Sequence, residues 1–266
     1  MALLAASFPH GTTASELLLS REATIRIMPL GDSITAGVAA GGARVTDGGY
    51  RGALAQLLAR YGYHAVFVGT RNDYSAAIAT RAHEGWPGYV LRSYPSNPGP
   101  GQLYGGLVRK AMRSDEPDVV LLMAGTNDLI RLQHGNAGYT LGNILNSMNL
   151  VLDEIFYERP SVRVIVAPVV SSPVIDVCTL AHFDGDDTCG PAPAPNLKTL
   201  VDSYAQRGFR ITLADGMENA VPRDTRHFPD GIHPSGTGGY AGIAGVWLNA
   251  IQHVTVQPSA SKVATK

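Results

Sequence analysis

A serine hydroxyl and an Asp-x-x-His pair stand out in this 266-residue chain as groups that can act together. The serine is Ser33, in Ile25-Arg-Ile-Met-Pro-Leu-Gly-Asp-Ser33, where a short branched run stops at Pro29 and turns through Gly31-Asp32-Ser33. A hydroxyl beyond the carboxyl end of a strand sits where open α/β sheets carry their chemistry. An ordinary helix N-cap reads the same way, because Asp and Ser are preferred capping residues. Near the other end, Phe228-Pro-Asp-Gly-Ile-His-Pro234 sets Asp230 three residues before His233. A carboxylate on one imidazole nitrogen fixes the tautomer and leaves the other nitrogen as a base. Asp224-Thr-Arg-His227 has the same spacing six residues earlier, and spacing alone does not choose between the pairs. Such a base lets a serine attack a carbonyl at neutral pH, and the resulting oxyanion needs pre-aimed N–H donors.

The elements that must position these groups are read from periodicity. Strands are expected at Ile25–Met28, His64–Gly69, Pro117–Ala124, Val162–Pro168 and Phe209–Leu213. Helices are expected at Tyr50–Tyr61, about Gln102–Ser114, Tyr139–Tyr157, about Leu197–Arg207 and about Gly238–His253. Strands alternating with helices predict an α/β fold with a parallel sheet covered on both faces. Pro117–Ala124, apolar throughout, reads as a central strand, and it ends on another polar tip, Gly125-Thr-Asn-Asp128. One domain over residues 24–253 suffices, with residues 171–195 as an insertion loop and with residues 1–23 and 254–266 as a flexible lead-in and tail.

Composition narrows the function classes. The formal charge of −1, with no basic run, argues against nucleic acid and against an anionic membrane as partners. No apolar run reaches the eighteen or so residues that span a bilayer. Met1–Phe8 is apolar but lacks the basic start of a signal peptide. Cys178 and Cys189 lie in a Pro-, Gly- and Asp-rich stretch that offers neither a core to enter, so a disulfide is expected, and with it an oxidising compartment. Gly236-Thr-Gly-Gly-Tyr-Ala241 follows no strand and fits a dinucleotide fingerprint only formally; no cofactor is expected. Asp184-Gly-Asp-Asp187 lacks the remaining calcium-ligand spacing, and the other histidines are scattered, so no metal is expected either.

A strand-end Gly-Asp-Ser, a later Gly-Thr-Asn-Asp and a C-terminal Asp-Gly-Ile-His-Pro, in that order, resemble the SGNH hydrolases, also called GDSL esterases. The resemblance covers about residues 24–253 and implies a flavodoxin-like three-layer α/β/α sandwich around a mostly parallel five-stranded sheet. It implies Ser33 as nucleophile, His233 as base and Asp230 as its orienter, in preference to the Asp224/His227 pair. It also implies an oxyanion hole from the Ser33 amide, the Asn127 side chain and a glycine of His83-Glu-Gly-Trp-Pro-Gly-Tyr89, where Gly88 is favoured over Gly85 although Pro87 departs from the family's usual small polar residue. Within that family, Met28–Thr35, Gly49-Tyr-Arg51 and Glu84–Tyr89 are similar to carbohydrate esterase family three, typically secreted acetylxylan esterases. The Cys178–Pro195 insertion is longer than that group implies. The expectation is therefore a secreted esterase, a monomer first, removing short acyl groups, acetyl first, from a saccharide or polysaccharide contacted by Asp32, Trp86 and Tyr89. A lipase, thioesterase or acyltransferase on the same scaffold is the runner-up, followed by a non-catalytic carbohydrate-binding protein.

Overall fold

The structure is a computed structural model and describes residues 23–44, 47–96 and 98–254. The expected flexible lead-in and tail therefore fall, apart from residues 23 and 254, outside the described residues. In chain order the elements begin with β1 (Ile25–Gly31), the one-turn helix α1 (Ser33–Ala36), a small hairpin of β2 (Val38–Ala39) and β3 (Ala43–Arg44), and α2 (Tyr50–Arg60). Then come β4 (Ala65–Phe67), β5 (Glu84–Gly85), α3 (Leu107–Asp115), β6 (Val119–Met123) and α4 (Thr126–Gln133). The chain continues through α5 (Leu141–Glu158), β7 (Arg163–Val166), α6 (Val177–Asp184), α7 (Leu197–Gln206), β8 (Ile211–Leu213) and α8 (Gly236–His253).

The main sheet runs β4-β1-β6-β7-β8, every pair parallel, with the two-residue β5 also paired to β1. It thus has six strands rather than the expected five, the extra one being a pairing too short to show a period in the sequence. Alternation splits its side chains between two cores. Ile25, Ile27, Val119, Leu121 and Met123 pack toward α2 and α8 with Tyr50, Leu54 and Trp247. Met28, Leu30, Val120 and Leu122 pack the other way, against Met112 of α3, Met148 and Ile155 of α5 and Tyr204 of α7. With both faces covered, β6 reads as one apolar run, and the α/β/α sandwich follows. The chain leaves β1 toward β4 and later crosses back to lay β6 on β1's other side. Such a reversal opens a crevice beyond the carboxyl ends of the two strands.

Three local expectations change. β1 does not stop at Pro29 but continues to Gly31, with Pro29 opposite Leu121 of β6. The missing amide N–H is tolerated because Pro29 falls in the gap on the other edge, after β4 pairs with Ile27 and before β5 pairs with Leu30. The polar tip after β6 goes on directly into α4, whose first residues are Thr126 and Asn127. The 171–195 insertion is not all loop: Asp176 accepts the Thr179 amide at 2.8 Å and starts α6. The expected disulfide joins Cys178 on that helix to Cys189.

Candidate active site

Ser33 is the first residue of α1, directly past the end of β1. Its turn is fixed from three directions. Asp32, only 1% exposed, accepts the Ile34 amide at 3.0 Å and caps the helix. Gly31 has no room for a side chain, since a Cβ there would lie 2.0 Å from the Met123 carbonyl oxygen of β6. At the other end, the buried Arg51 of α2 donates to the carbonyls of Thr35 (3.0 Å) and Ala36 (2.9 Å). The same guanidinium donates to Arg81 O at 3.0 Å, so it also grips the segment leading into β5. Burial lowers the Arg51 pKa to about 10, opposed by the phenols of Tyr50 and Tyr240 and by Asp73 and Asp47.

The C-terminal Asp-x-x-His arrives from across the molecule. His233 Nε2 is 2.9 Å from Ser33 Oγ, and His233 Nδ1 is 2.8 Å from Asp230 Oδ2. A carboxylate against Nδ1 assigns the ring proton to that nitrogen and leaves Nε2 to accept from the serine hydroxyl. Asp230 Oδ1 accepts the amides of Ile232 (3.0 Å) and His233 (2.8 Å), a local turn made by Gly231 at φ +82°. Oδ2 also accepts the Gly41 amide, at 2.7 Å, from the tip between β2 and β3. Partial burial works against the charge on Asp230, but the His233 ring and these amides outweigh it and hold the carboxyl well below the usual carboxylate range.

The competing pair has the same local form. Asp224 Oδ1 accepts the amides of Arg226 and His227, both at 2.9 Å, and lies 2.8 Å from His227 Nδ1. Only His233 brings its second nitrogen to a serine.

The two candidate glycines are separated by their amides. Gly85 N donates to His83 Nδ1 at 3.0 Å, and a Cβ on Gly85 would lie 2.3 Å from Ala36 N. Burial lowers the His83 pKa to about 3, with Arg51 adding to the effect, so the ring is neutral and can accept. Gly88 has φ +77° in the turn Trp86-Pro-Gly-Tyr89, closed by Tyr89 N to Trp86 O at 3.1 Å. Proline second and glycine third suit a type II turn, which explains Pro87. Among the described residues nothing hydrogen-bonds the Gly88 amide.

α4 holds that turn at two points. Asn127 Nδ2 donates to Tyr89 O at 2.9 Å, which orients the amide and leaves its second N–H unspent. Asp128, fully buried, accepts the Leu91 amide at 3.2 and 3.0 Å. Burial pushes the Asp128 pKa up to about 7, although the Leu91 bond works against it.

A family model of GDSL-like lipases/acylhydrolases matches residues 27–241, which spans every group described above. The chain belongs to that family. A curated multidomain esterase from Ruminococcus flavefaciens is 29% identical over 250 residues; the match takes in 88% of this chain but only 29% of that longer protein. A family 3 carbohydrate esterase from Clostridium thermocellum has a similar structure, with TM-score 0.65, 24% identity, and 88% of this chain and all of the other covered. An acetyl esterase, solved as a serine-to-alanine mutant with an acetate ion, gives TM-score 0.63 and 21% identity over 87% of this chain and all of its own. At these identities the two structures bear on fold alone.

The remaining expected contacts divide. Asp32 is turned inward, with burial raising its pKa against the opposing Thr126 and Ile34 bonds, so it supports the serine turn rather than facing a ligand. Trp86 is half-buried: its Nε1 donates to Glu84 Oε2 at 2.8 Å, Arg71 lies 4.5 Å over its ring, and Tyr89 is tilted 30° to it at 5.2 Å. The Tyr89 ring packs on Gly101, where a Cβ would meet its Cζ at 2.2 Å. Sequence reasoning missed Arg51, His83, Glu84 and Asp128 as supports. Part of their signal was present, since Glu84 immediately precedes Gly85 and Asp128 immediately follows Asn127. Among the described residues no three His, Cys, Asp or Glu side chains gather as a metal site.

Proposed function

We propose that this chain hydrolyses short-chain acyl esters, acetyl first, carried by a saccharide or polysaccharide, with Ser33, His233 and Asp230 as catalytic triad. One observation carries this: the unbroken chain from Ser33 Oγ to His233 Nε2 (2.9 Å) and from His233 Nδ1 to Asp230 (2.8 Å).

In this scheme His233 Nε2 takes the hydroxyl proton as Ser33 Oγ bonds to the ester carbonyl carbon. Asp230 stays ionised and stabilises the imidazolium. The carbonyl π pair moves onto oxygen, facing the Ser33 amide, the Gly88 amide and the free N–H of Asn127. Collapse breaks the bond to the alcohol, which leaves with the proton from His233. Water then repeats the sequence on the acyl-serine and releases the carboxylate. The open Gly88 amide, against the committed Gly85 amide, supports Gly88 as the glycine donor.

The acyl and sugar preferences rest on the resemblance to carbohydrate esterase family three and on the half-buried Trp86 and Tyr89 beside Gly88, whose rings suit a pyranose face. Secretion is supported by the Cys178–Cys189 disulfide, a bond that persists in oxidising compartments. The test is acetate release from acetylated xylan together with kcat/KM for acetyl, butyryl and octanoyl esters of one alcohol, on wild type and Ser33→Ala. Acetate release lost in a folded Ser33→Ala is expected. A peak at octanoyl, or a Ser33→Ala variant with most of its activity, overturns the proposal.

A further inference from the structure

The insertion that breaks the α/β rhythm returns to the catalytic loop. Val174 N donates to Gly231 O at 3.3 Å, and Gly231 lies between Asp230 and His233. The side chain follows the backbone: a Cβ on Gly231 would sit 2.7 Å from Val174 Cγ1. Two residues on, Asp176 N donates to Gln133 Oε1 at 2.9 Å, and Gln133 ends the helix on whose first turn Asn127 stands. Arg223, one residue before the Asp224 turn, donates to the carbonyls of Ser172 (3.3 Å), Pro173 (3.4 Å) and Ile175. The disulfide then ties the first turn of α6 to Cys189. The segment 173–177 is thus braced from the His233 side to the Asn127 side.

On this braced segment two valines stay in contact with solvent. Val174 is 37% exposed and Val177 41%, two of the five large apolar side chains left exposed among the described residues. Burying a valine side chain is favourable because it takes apolar area out of water. Val174, left part-exposed against the catalytic loop, therefore offers apolar area to whatever enters.

The chemistry says which half of an ester that is. His233 Nε2 must hand its proton to the departing alkoxide, so the alcohol oxygen lies within hydrogen-bond reach of His233. The carbonyl oxygen faces the other way, toward Ser33 N, Gly88 N and Asn127. The alcohol half consequently leaves along the Asp230–His233 loop, against which Val174 is held. We propose that Val174 is a leaving-group specificity determinant, packing on the apolar face of the alcohol (the C–H face of a pyranose or an aromatic ring) and not on the acyl chain. This inference rests on Ser33 and His233 acting as proposed above.

The experiment varies one half of the ester at a time in wild type, Val174→Ser and the shape-preserving Val174→Thr. Ethyl and benzyl acetate share the acyl group and differ in the alcohol; benzyl acetate and benzyl butyrate share the alcohol. In Val174→Ser the benzyl-to-ethyl ratio of kcat/KM should fall about fivefold, while the acetyl-to-butyryl ratio stays within about twofold. Val174→Thr should follow in the same direction. It keeps the side chain's shape and so gives the same readout should Val174→Ser fail to fold. A change confined to the acetyl-to-butyryl ratio, or no change in either ratio in folded variants, overturns the inference while leaving the triad intact. Wild type inactive on every ester would instead overturn the proposed function.

Discussion

His227 and His233 each bond through Nδ1 to the aspartate three residues before them, at 2.8 Å in each case, and part company in what faces the second ring nitrogen. For His233 that is Ser33 Oγ. His233→Ala should therefore lower kcat/KM by at least about 1,000-fold, whereas His227→Ala should stay within about threefold of wild type. Parallel kinetics on one acetyl ester check this, and comparable losses for the two variants would reverse the assignment.

Asn127→Ala should lower kcat by about 100- to 1,000-fold with little change in KM, because the lost N–H acts only once charge has moved onto the carbonyl oxygen. The Asn127 bond to Tyr89 O also goes, so circular dichroism and Tm should accompany the kinetics. A loss expressed mainly in KM would assign Asn127 to ground-state binding.

Asp128 gives stability a pH dependence of unusual sign. Its folded pKa is pushed up to about 7 by burial, against about 3.9 in an unfolded chain. The native state holds the proton longer, so this contribution is complete below about pH 4 and is lost as pH rises through about 7. Asp32 is shifted in the same direction, while Asp230 is shifted oppositely and loses its contribution as pH falls below the unfolded value. Asp128→Asn keeps an acceptor for the Leu91 amide and should flatten the decline between about pH 4 and 7. Urea midpoints measured across that window decide it; an unchanged slope would refute the shift.

Cys178 and Cys189 are 11 residues apart, and closing so short a loop limits the unfolded chain by about 3 kcal/mol on the chain-entropy estimate. Cys178→Ser should lower Tm by several degrees. Scanning calorimetry with and without reductant reads this directly, and a reductant-insensitive Tm in wild type would show the bond to be without thermodynamic effect.

The sequence was most legible where local pattern and global fold agree. The apolar run Val119–Met123 could only be a doubly covered strand, and the Pro-flanked Asp230–His233 block pointed to the loop that reaches Ser33. Pro29 misled because a proline in a strand is a fault only where a partner asks for its N–H, and here the neighbouring edge has a gap. α6 was hidden by the glycines and prolines around it, although Asp176 was there as a cap. The preference for Gly88 over Gly85 came from the resemblance and had no support in spacing, whereas the difference between their amides lies in the His83 ring, which takes that of Gly85. Asp32 looked like a ligand contact from its place in the motif and proved to be a buried helix cap.

Arg51 has a consequence for how the molecule opens. Its guanidinium is wholly buried, and its four hydrogen bonds go to carbonyl oxygens of two chain segments, Thr35 and Ala36 on one side and Arg81 and Asp73 on the other. Neither segment can loosen alone without stranding a cation in the interior, which costs several kcal/mol. The Ser33 turn and the strand that leads to Gly88 should therefore exchange their amide protons as one cooperative unit, with matched protection, although more than thirty residues of chain lie between them. In Arg51→Met that shared protection should split into two separate values, the two halves of the cleft breathing independently.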